Sequence, residues 1–181
     1  MMTSFNDMKK LLENKELDES FSRVYLKESF AAQYDRFLDV LDAFKNLFDK
    51  NAEREVALFS APGRTEIGGN HTDHNHGQVL AAAINLDAVA CAVKTDDHFI
   101  RVYSENYPGD IIDINILEPQ MNEAEKSASL VRGVAARFKE LGYNIGGFDA
   151  TTASQVLSGS GLSSSAAFEV LVCTMLSYLY N

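Results

Sequence analysis

Three of the chain's four histidines fall in one stretch, GRTEIGGNHTDHNHG, running from Gly63 to Gly77 together with Arg64, Glu66 and Asp73. A carboxylate accepts two hydrogen bonds from hydroxyls, an imidazole donates or accepts, and an amide side chain does both. A short loop of these residues can therefore read the stereochemistry of a small polyol. His71, Asp73, His74 and His76 also have the types and spacing of ligands for zinc or another transition metal. An exposed polar loop with no ligand is the third possibility, and the residues by themselves leave all three open.

A second stretch, SGSGLSSSAAFEV from Ser158 to Val170, lies in a region without a single charged side chain between Ala150 and Phe168. Gly159 and Gly161 permit turn conformations and close approach of a ligand to the backbone. Ser163, Ser164 and Ser165 stand where a helix begins, but the glutamate that completes a capping box is missing from its first turn. Backbone N–H groups left free there, with the helix dipole behind them, suit a phosphate. The segment is not a P-loop, since no Gly-Lys-Ser/Thr follows the glycines, and it lacks the third glycine of a dinucleotide fingerprint. No G-x-S-x-G nucleophile elbow occurs, which disfavours a Ser-His-Asp hydrolase. An ordinary Gly-Ser turn before a helix remains the plain alternative.

The elements that must hold these stretches are legible in part. The periodic apolar positions Phe30, Tyr34, Phe37, Leu41, Phe44 and Phe48 predict an amphipathic helix within a helical leader over residues 1–50. From Glu55 the texture changes, and a mixed sheet with helices is expected over 55–181. EVALFSAPG reads as a strand ended by a Pro-Gly turn, VLAAAINLDAVACAVKTDD as one or two strands, and HFIRVYSEN, IIDINIL and GGFDATTAS as further strands. SLVRGVAARFKELGYN is a helix presenting Leu130, Val134, Phe138 and Leu141 on one face, stopped at Gly142, and AAFEVLVCTMLSYLY is an apolar helix. His98 is expected to be structural. Strands and helices alternate irregularly, so the fold class is α+β.

Composition narrows the partners. A net charge of −10 argues against non-specific binding to nucleic acid or an anionic membrane. An anionic ligand then needs oriented amides and a metal ion. The N-terminus has no secretory apolar segment, no run reaches membrane-span length, and Cys91 and Cys173 sit in apolar surroundings that suit free thiols. The expectation is a soluble cytoplasmic protein. The apolar final helix, without a stop signal, predicts a chain cut before its partner elements and self-association through the exposed helix end.

Taken together, the two stretches resemble a known pair. GRTEIGGNHTDHNHGQVLAAAI resembles the galactokinase signature, usually GRVNLIGEHTDYNGG followed by a strand. LSGSGLSSSAAFEV resembles the second motif of the GHMP kinase superfamily, and the likeness spans roughly residues 25–181. The resemblance implies a GHMP kinase N-terminal domain, a mixed sheet packed with helices, with a ferredoxin-like C-terminal domain absent from this chain. It also implies ATP and Mg²⁺ as cofactors, and phosphorylation of the anomeric hydroxyl of galactose or a related sugar. On this resemblance Arg64 sits beside the catalytic carboxylate, and Asn70, His71 and Asp73 contact the sugar. Gly159, Gly161, Leu162, Ser163, Ser164, Ser165 and Ala166 wrap the ATP phosphates, with Ser165 the hydroxyl ligand to Mg²⁺.

Three departures bear on function. Asn70 replaces the usual glutamate, which changes the charge offered to the sugar. Leu157 replaces a proline before the second motif. The family's catalytic aspartate and third, glycine-rich motif lie beyond the second motif, so the chain by itself is expected to be inactive. A non-catalytic sugar-binding or regulatory module and a metal-binding protein are the competing functions.

Overall fold

A computed structural model describes residues 2–69, 72, 75–105, 107–157, 159 and 161–181. A six-stranded mixed sheet divides two apolar layers, in the strand order β1-β2-β3-β6-β4-β5. The strands are β1 (Thr3–Ser4), β2 (Glu55–Gly68), β3 (Leu80–Lys94), β4 (Phe99–Ser104), β5 (Asp110–Asp113) and β6 (Phe148–Ser154). All neighbours run antiparallel except β4 and β6, which are parallel. The α+β expectation therefore holds.

One face is covered by the leader, which folds as α1 (Phe5–Glu13), the single turn α2 (Asp18–Phe21) and α3 (Phe30–Phe48). Tyr34, Phe37, Leu41 and Phe44 of α3 are buried, joined by Phe5, Leu12 and Phe21 from the shorter helices. The predicted stripe thus faces the sheet, where it meets Val56, Val89, Cys91 and Val93. Phe21 stacks on Phe37 at 5.5 Å between ring centroids, one of several aromatic pairs that fix how the leader folds back. Each such fully buried apolar side chain contributes roughly 1.5–3 kcal/mol. Both cysteines are free, Cys91 buried and Cys173 half-buried, and burial pushes the Cys91 thiol up.

The opposite face carries α4 (Ser127–Glu140) and α5 (Ser164–Tyr180). Leu171, Val172, Met175 and Leu176 of α5 pack on Phe59, Ala61, Ala90 and Phe148. The face expected for α4 is borne out in part, since Val134 and Phe138 pack, partly buried, against this core. Ala128, Val131, Arg132 and Ala135 are its buried positions, whereas Leu141 is 55% exposed. Arg132 is held inward by Glu123, with Nη2 to Oε1 at 2.6 Å and Nε to Oε2 at 2.7 Å. The last turn of α5 is tied to the loop after α4, where Asn144 N–H donates to Asn181 Oδ1 at 2.9 Å. No helix among the described residues is long and apolar enough to cross a membrane.

Two expectations about strands are corrected. The strand from Glu55 does not stop at Pro62-Gly63 but continues to Gly68, so the first half of the histidine-rich stretch is strand and not loop. Beyond Val56 the strand has no second neighbour among the described residues, because β1 pairs only with Glu55 and Val56. An open side tolerates a proline that lacks an N–H. IIDINIL is strand only through Asp113, whose Oδ1 accepts from the Asn115 amide at 2.9 Å and turns the chain.

Candidate functional site

The two motifs meet at the distal part of the β2–β3 hairpin. β6 pairs with β3 only from Ala88 onward, so Leu80 to Asn85 project beyond the sheet as an exposed arm. That arm carries the loop between Gly69 and Val79. Gly69 has φ +115°, and a side chain there would meet the Gln78 carbonyl at 2.6 Å, so glycine is required where the chain leaves β2. Thr72 folds the loop on itself: its carbonyl accepts from the amides of Asn75 (3.0 Å) and Gly77 (2.7 Å), and its hydroxyl donates to the Gly69 carbonyl at 2.8 Å. Asn70, His71, Asp73 and His74 lie outside the described residues. His76 is described, exposed, and has a positive φ of 61°. Groups of side chains able to hold a metal ion are not found among the described residues.

Arg64 stands on β2 below this loop, its side chain 34% exposed and 3.9 Å from the Glu66 carboxylate, which is 10% exposed. The pairing of β2 with β3 is broken here. Pro62 faces Asp87 but Arg64 faces Ala83, so the hairpin is irregular at Gly63. Irregularities of this kind re-aim side chains and recur beside active sites.

The glycine-rich segment crosses the same point from the other side. The Arg64 amide donates to the Leu162 carbonyl at 3.2 Å. From there Ser163 takes a left-handed conformation (φ 59°, ψ 55°) at the N-cap of α5 and makes no side-chain capping bond. The first bond inside the helix is Ala167 N–H to Ser163 C=O at 3.0 Å. The amides of Ser164, Ser165 and Ala166 precede it, as the first-turn donors of any helix do. Leu157, Gly159, Gly161, Ser163, Ser164 and Ser165 line a shallow cavity of about 250 Å³. Gly159 and Gly161 hold φ values of +77° and +75° around it. Among the described residues no cationic side chain lines this cavity, so the attraction they offer an anion comes from amides, hydroxyls and the helix dipole. That donor set fits a phosphate group, and a serine hydroxyl at the rim adds an oxygen of the kind Mg²⁺ takes.

The structure thus brings the Arg64 backbone against Leu162, a contact the sequence reading did not anticipate. Sequence reasoning missed Gly63 and Val156, which lie in contact at this junction. It also missed the buried carboxylate of Asp87. The Pro-Gly pair was the available signal for Gly63, and it points equally to a simple turn.

Comparisons with known proteins point to one family. The family model described as the galactokinase galactose-binding signature matches residues 42–94, and that of the GHMP kinases N terminal domain matches residues 129–181. The galactokinase of Lactococcus lactis is 35% identical over 130 residues, covering 71% of this chain and 33% of that protein. The galactokinase of Staphylococcus carnosus is 37% identical over 146 residues, covering 78% of this chain and 37% of its own length. Among solved structures, Lactococcus lactis galactokinase complexed with galactose superposes with a TM-score of 0.66 at 33% identity, over 76% of this chain and 36% of that one. Methanococcus jannaschii mevalonate kinase shares the fold, with a TM-score of 0.53 at 16% identity over 67% of this chain and 39% of that one. The chain spans about a third of the length of the galactokinases it matches. Two family models matched in order, on the two stretches that the fold joins at Arg64 and Leu162, settle its kinship: the chain belongs to the galactokinase family of the GHMP kinase superfamily.

Proposed function

We propose that the chain is the sugar- and phosphate-contacting part of a sugar kinase which, in the complete protein, phosphorylates the anomeric hydroxyl of galactose or a related sugar. The observation that carries this reading is the hydrogen bond from the Arg64 amide to the Leu162 carbonyl, which joins the strand bearing the first motif to the residue just before the start of α5. The galactose named in the Lactococcus lactis structure supplies the ligand class.

In this reading Asn70, His71 and Asp73 hydrogen-bond the sugar hydroxyls and orient the reacting one. Asn70 offers an amide where a carboxylate is usual in the family, which favours a sugar whose substituent needs a donor as well as an acceptor. Arg64 sits beside the carboxylate that receives the hydroxyl proton in the complete protein. ATP supplies the transferable phosphoryl group and Mg²⁺ neutralises its charge. The amides of Ser164, Ser165 and Ala166 position the phosphates, Gly159 and Gly161 let the backbone approach them, and Ser165 offers its hydroxyl to the metal. Phosphoryl transfer asks chiefly for such positioning and charge neutralisation.

The chain by itself is then a binding unit without turnover. Calorimetric titration of the chain with galactose, its epimers and Mg-ATP tests this: saturable heats for a sugar and for the nucleotide are expected, and flat titrations for both contradict it.

A further inference from the structure

Gly63 lies where the histidine-rich strand and the phosphate loop cross. A methyl group built there would sit 3.0 Å from the Leu162 carbonyl oxygen and 3.0 and 3.1 Å from the two Val156 methyls. These approaches are tighter than ordinary van der Waals contact, so the loop is pressed against β2 as closely as a backbone without a side chain allows. The next residue, Arg64, closes the contact with its amide on that same carbonyl at 3.2 Å. Leu162 immediately precedes Ser163, whose left-handed conformation starts α5. Val156 is itself fixed, 3% exposed, with its amide on Ser154 Oγ at 3.1 Å, and the Gln155 amide donates to the Asp87 carbonyl at 2.9 Å. The phosphate loop is therefore anchored at its root by β3 and near its far end by β2.

We propose that Gly63 is a positioning residue for the phosphate loop. By carrying no side chain it lets the Arg64 amide latch the Leu162 carbonyl, and that latch sets where the first-turn amides of α5 stand relative to the sugar loop on the same hairpin. The proposal rests on the functional reading above. The latch acts on the nucleotide through main-chain geometry, so it is invisible to any search for reactive side chains. A methyl group at 63 displaces the Leu162 carbonyl by a few tenths of an ångström and breaks the latch, and the aim of the α5 amides goes with it. The proposed sugar contacts lie beyond Gly69, outside the latch, so sugar affinity serves as the separate readout.

The test compares wild type with Gly63→Ala, Val156→Ala, the double variant, and Gly133→Ala as a control in open space on α4. Amide hydrogen exchange at Arg64 reads the latch directly and needs no ligand. Calorimetry with Mg-ATP and with galactose reads the two sites. Gly63→Ala is expected to speed Arg64 exchange about tenfold and to weaken Mg-ATP three- to tenfold, with sugar affinity unchanged. Shaving Val156 removes two of the three close contacts but leaves the one with the carbonyl, so the double variant stays unlatched. Unchanged Arg64 exchange in Gly63→Ala overturns the latch, and recovery of both readouts in the double variant shows that the glycine serves only to seat Val156. Equal Mg-ATP affinity in wild type and Gly63→Ala overturns the positioning role. A wild type that binds no Mg-ATP while its Arg64 exchange responds as expected instead overturns the functional reading beneath it.

Discussion

Arg36 and Asp87 form an ion pair of 2.7 Å between α3 and β3, with side chains 14% and 4% exposed. The carboxylate is fully engaged: the Ser60 hydroxyl donates to it at 2.6 Å, the Tyr25 hydroxyl donates as well, and Arg36 Nη2 reaches the Asp87 backbone carbonyl at 3.2 Å. Arg36 is in turn steadied by Gln33 Oε1 at 2.6 Å. The cluster ties the leader to the sheet directly opposite Pro62, one residue before the irregularity at Gly63. Burial, followed by the bond to Asp87, pushes the Tyr25 hydroxyl well above its ordinary range, so it stays a donor at any physiological pH.

Because a buried charge deprived of its partner is costly, Asp87→Ala is expected to lower unfolding free energy by about 3 kcal/mol in urea denaturation. Tyr25→Phe, which removes one of several donors, is expected to cost about 1 kcal/mol. Equal losses for the two would show that the cluster is not organised around the carboxylate.

Asp97 gives a pH signature remote from the site. The Arg101 guanidinium, with Nη2 at 2.5 Å, holds its carboxyl down at about 2, helped by the Phe99 amide and the Thr95 hydroxyl. A depressed folded-state value stabilises the fold above the ordinary 3.8 and loses that contribution as pH falls toward about 2. Asp97→Asn should therefore be less stable than wild type at neutral pH, and the difference should shrink as pH falls from 3.8 through about 2. A stability difference that grows on acidification would contradict the assignment.

On the sugar loop, His71→Ala and Asp73→Asn should each weaken sugar binding by roughly ten- to a hundredfold, the cost of an unmet buried hydrogen bond of about 1–3 kcal/mol. Asn70→Glu restores the family's usual charge and should move preference toward galactose within a panel of related sugars. Calorimetry across that panel checks both, and wild-type affinity in the His71 and Asp73 variants would remove them from the site.

Ser165→Ala separates amides from hydroxyl at the phosphate site. Nucleotide binding without metal should be unchanged, and the gain in affinity on adding Mg²⁺ should fall by about threefold to tenfold. A parallel loss with and without metal would assign the hydroxyl to the phosphate itself.

What the sequence made legible follows from where information is local. The α3 stripe is a repeat of large apolar residues, and the turn before α5 is written in its own glycines and serines. The β2 extension through Pro62 was not legible, because tolerance for that proline depends on β1 being only two residues long, a fact about a neighbour. The α4 face was legible only in part: Val134 and Phe138 do meet the core, but Arg132 reads as a surface residue until Glu123 is known to meet it. Asp87 and Gly63 escaped for the same reason: each acts through residues dozens of positions away, Arg36 in one case and Leu162 in the other.

We propose that the junction at Arg64 and Leu162 belongs to a sugar kinase. The most direct test of this proposal is a coupled ADP-release assay with Mg-ATP and galactose, N-acetylgalactosamine, arabinose or glucose, run on this chain and on the longest product its gene encodes. Sugar-dependent ADP release by the longer product, with none from this chain, is the predicted result. No release from either on any of these sugars would contradict the account and leave a sugar-binding module in its place.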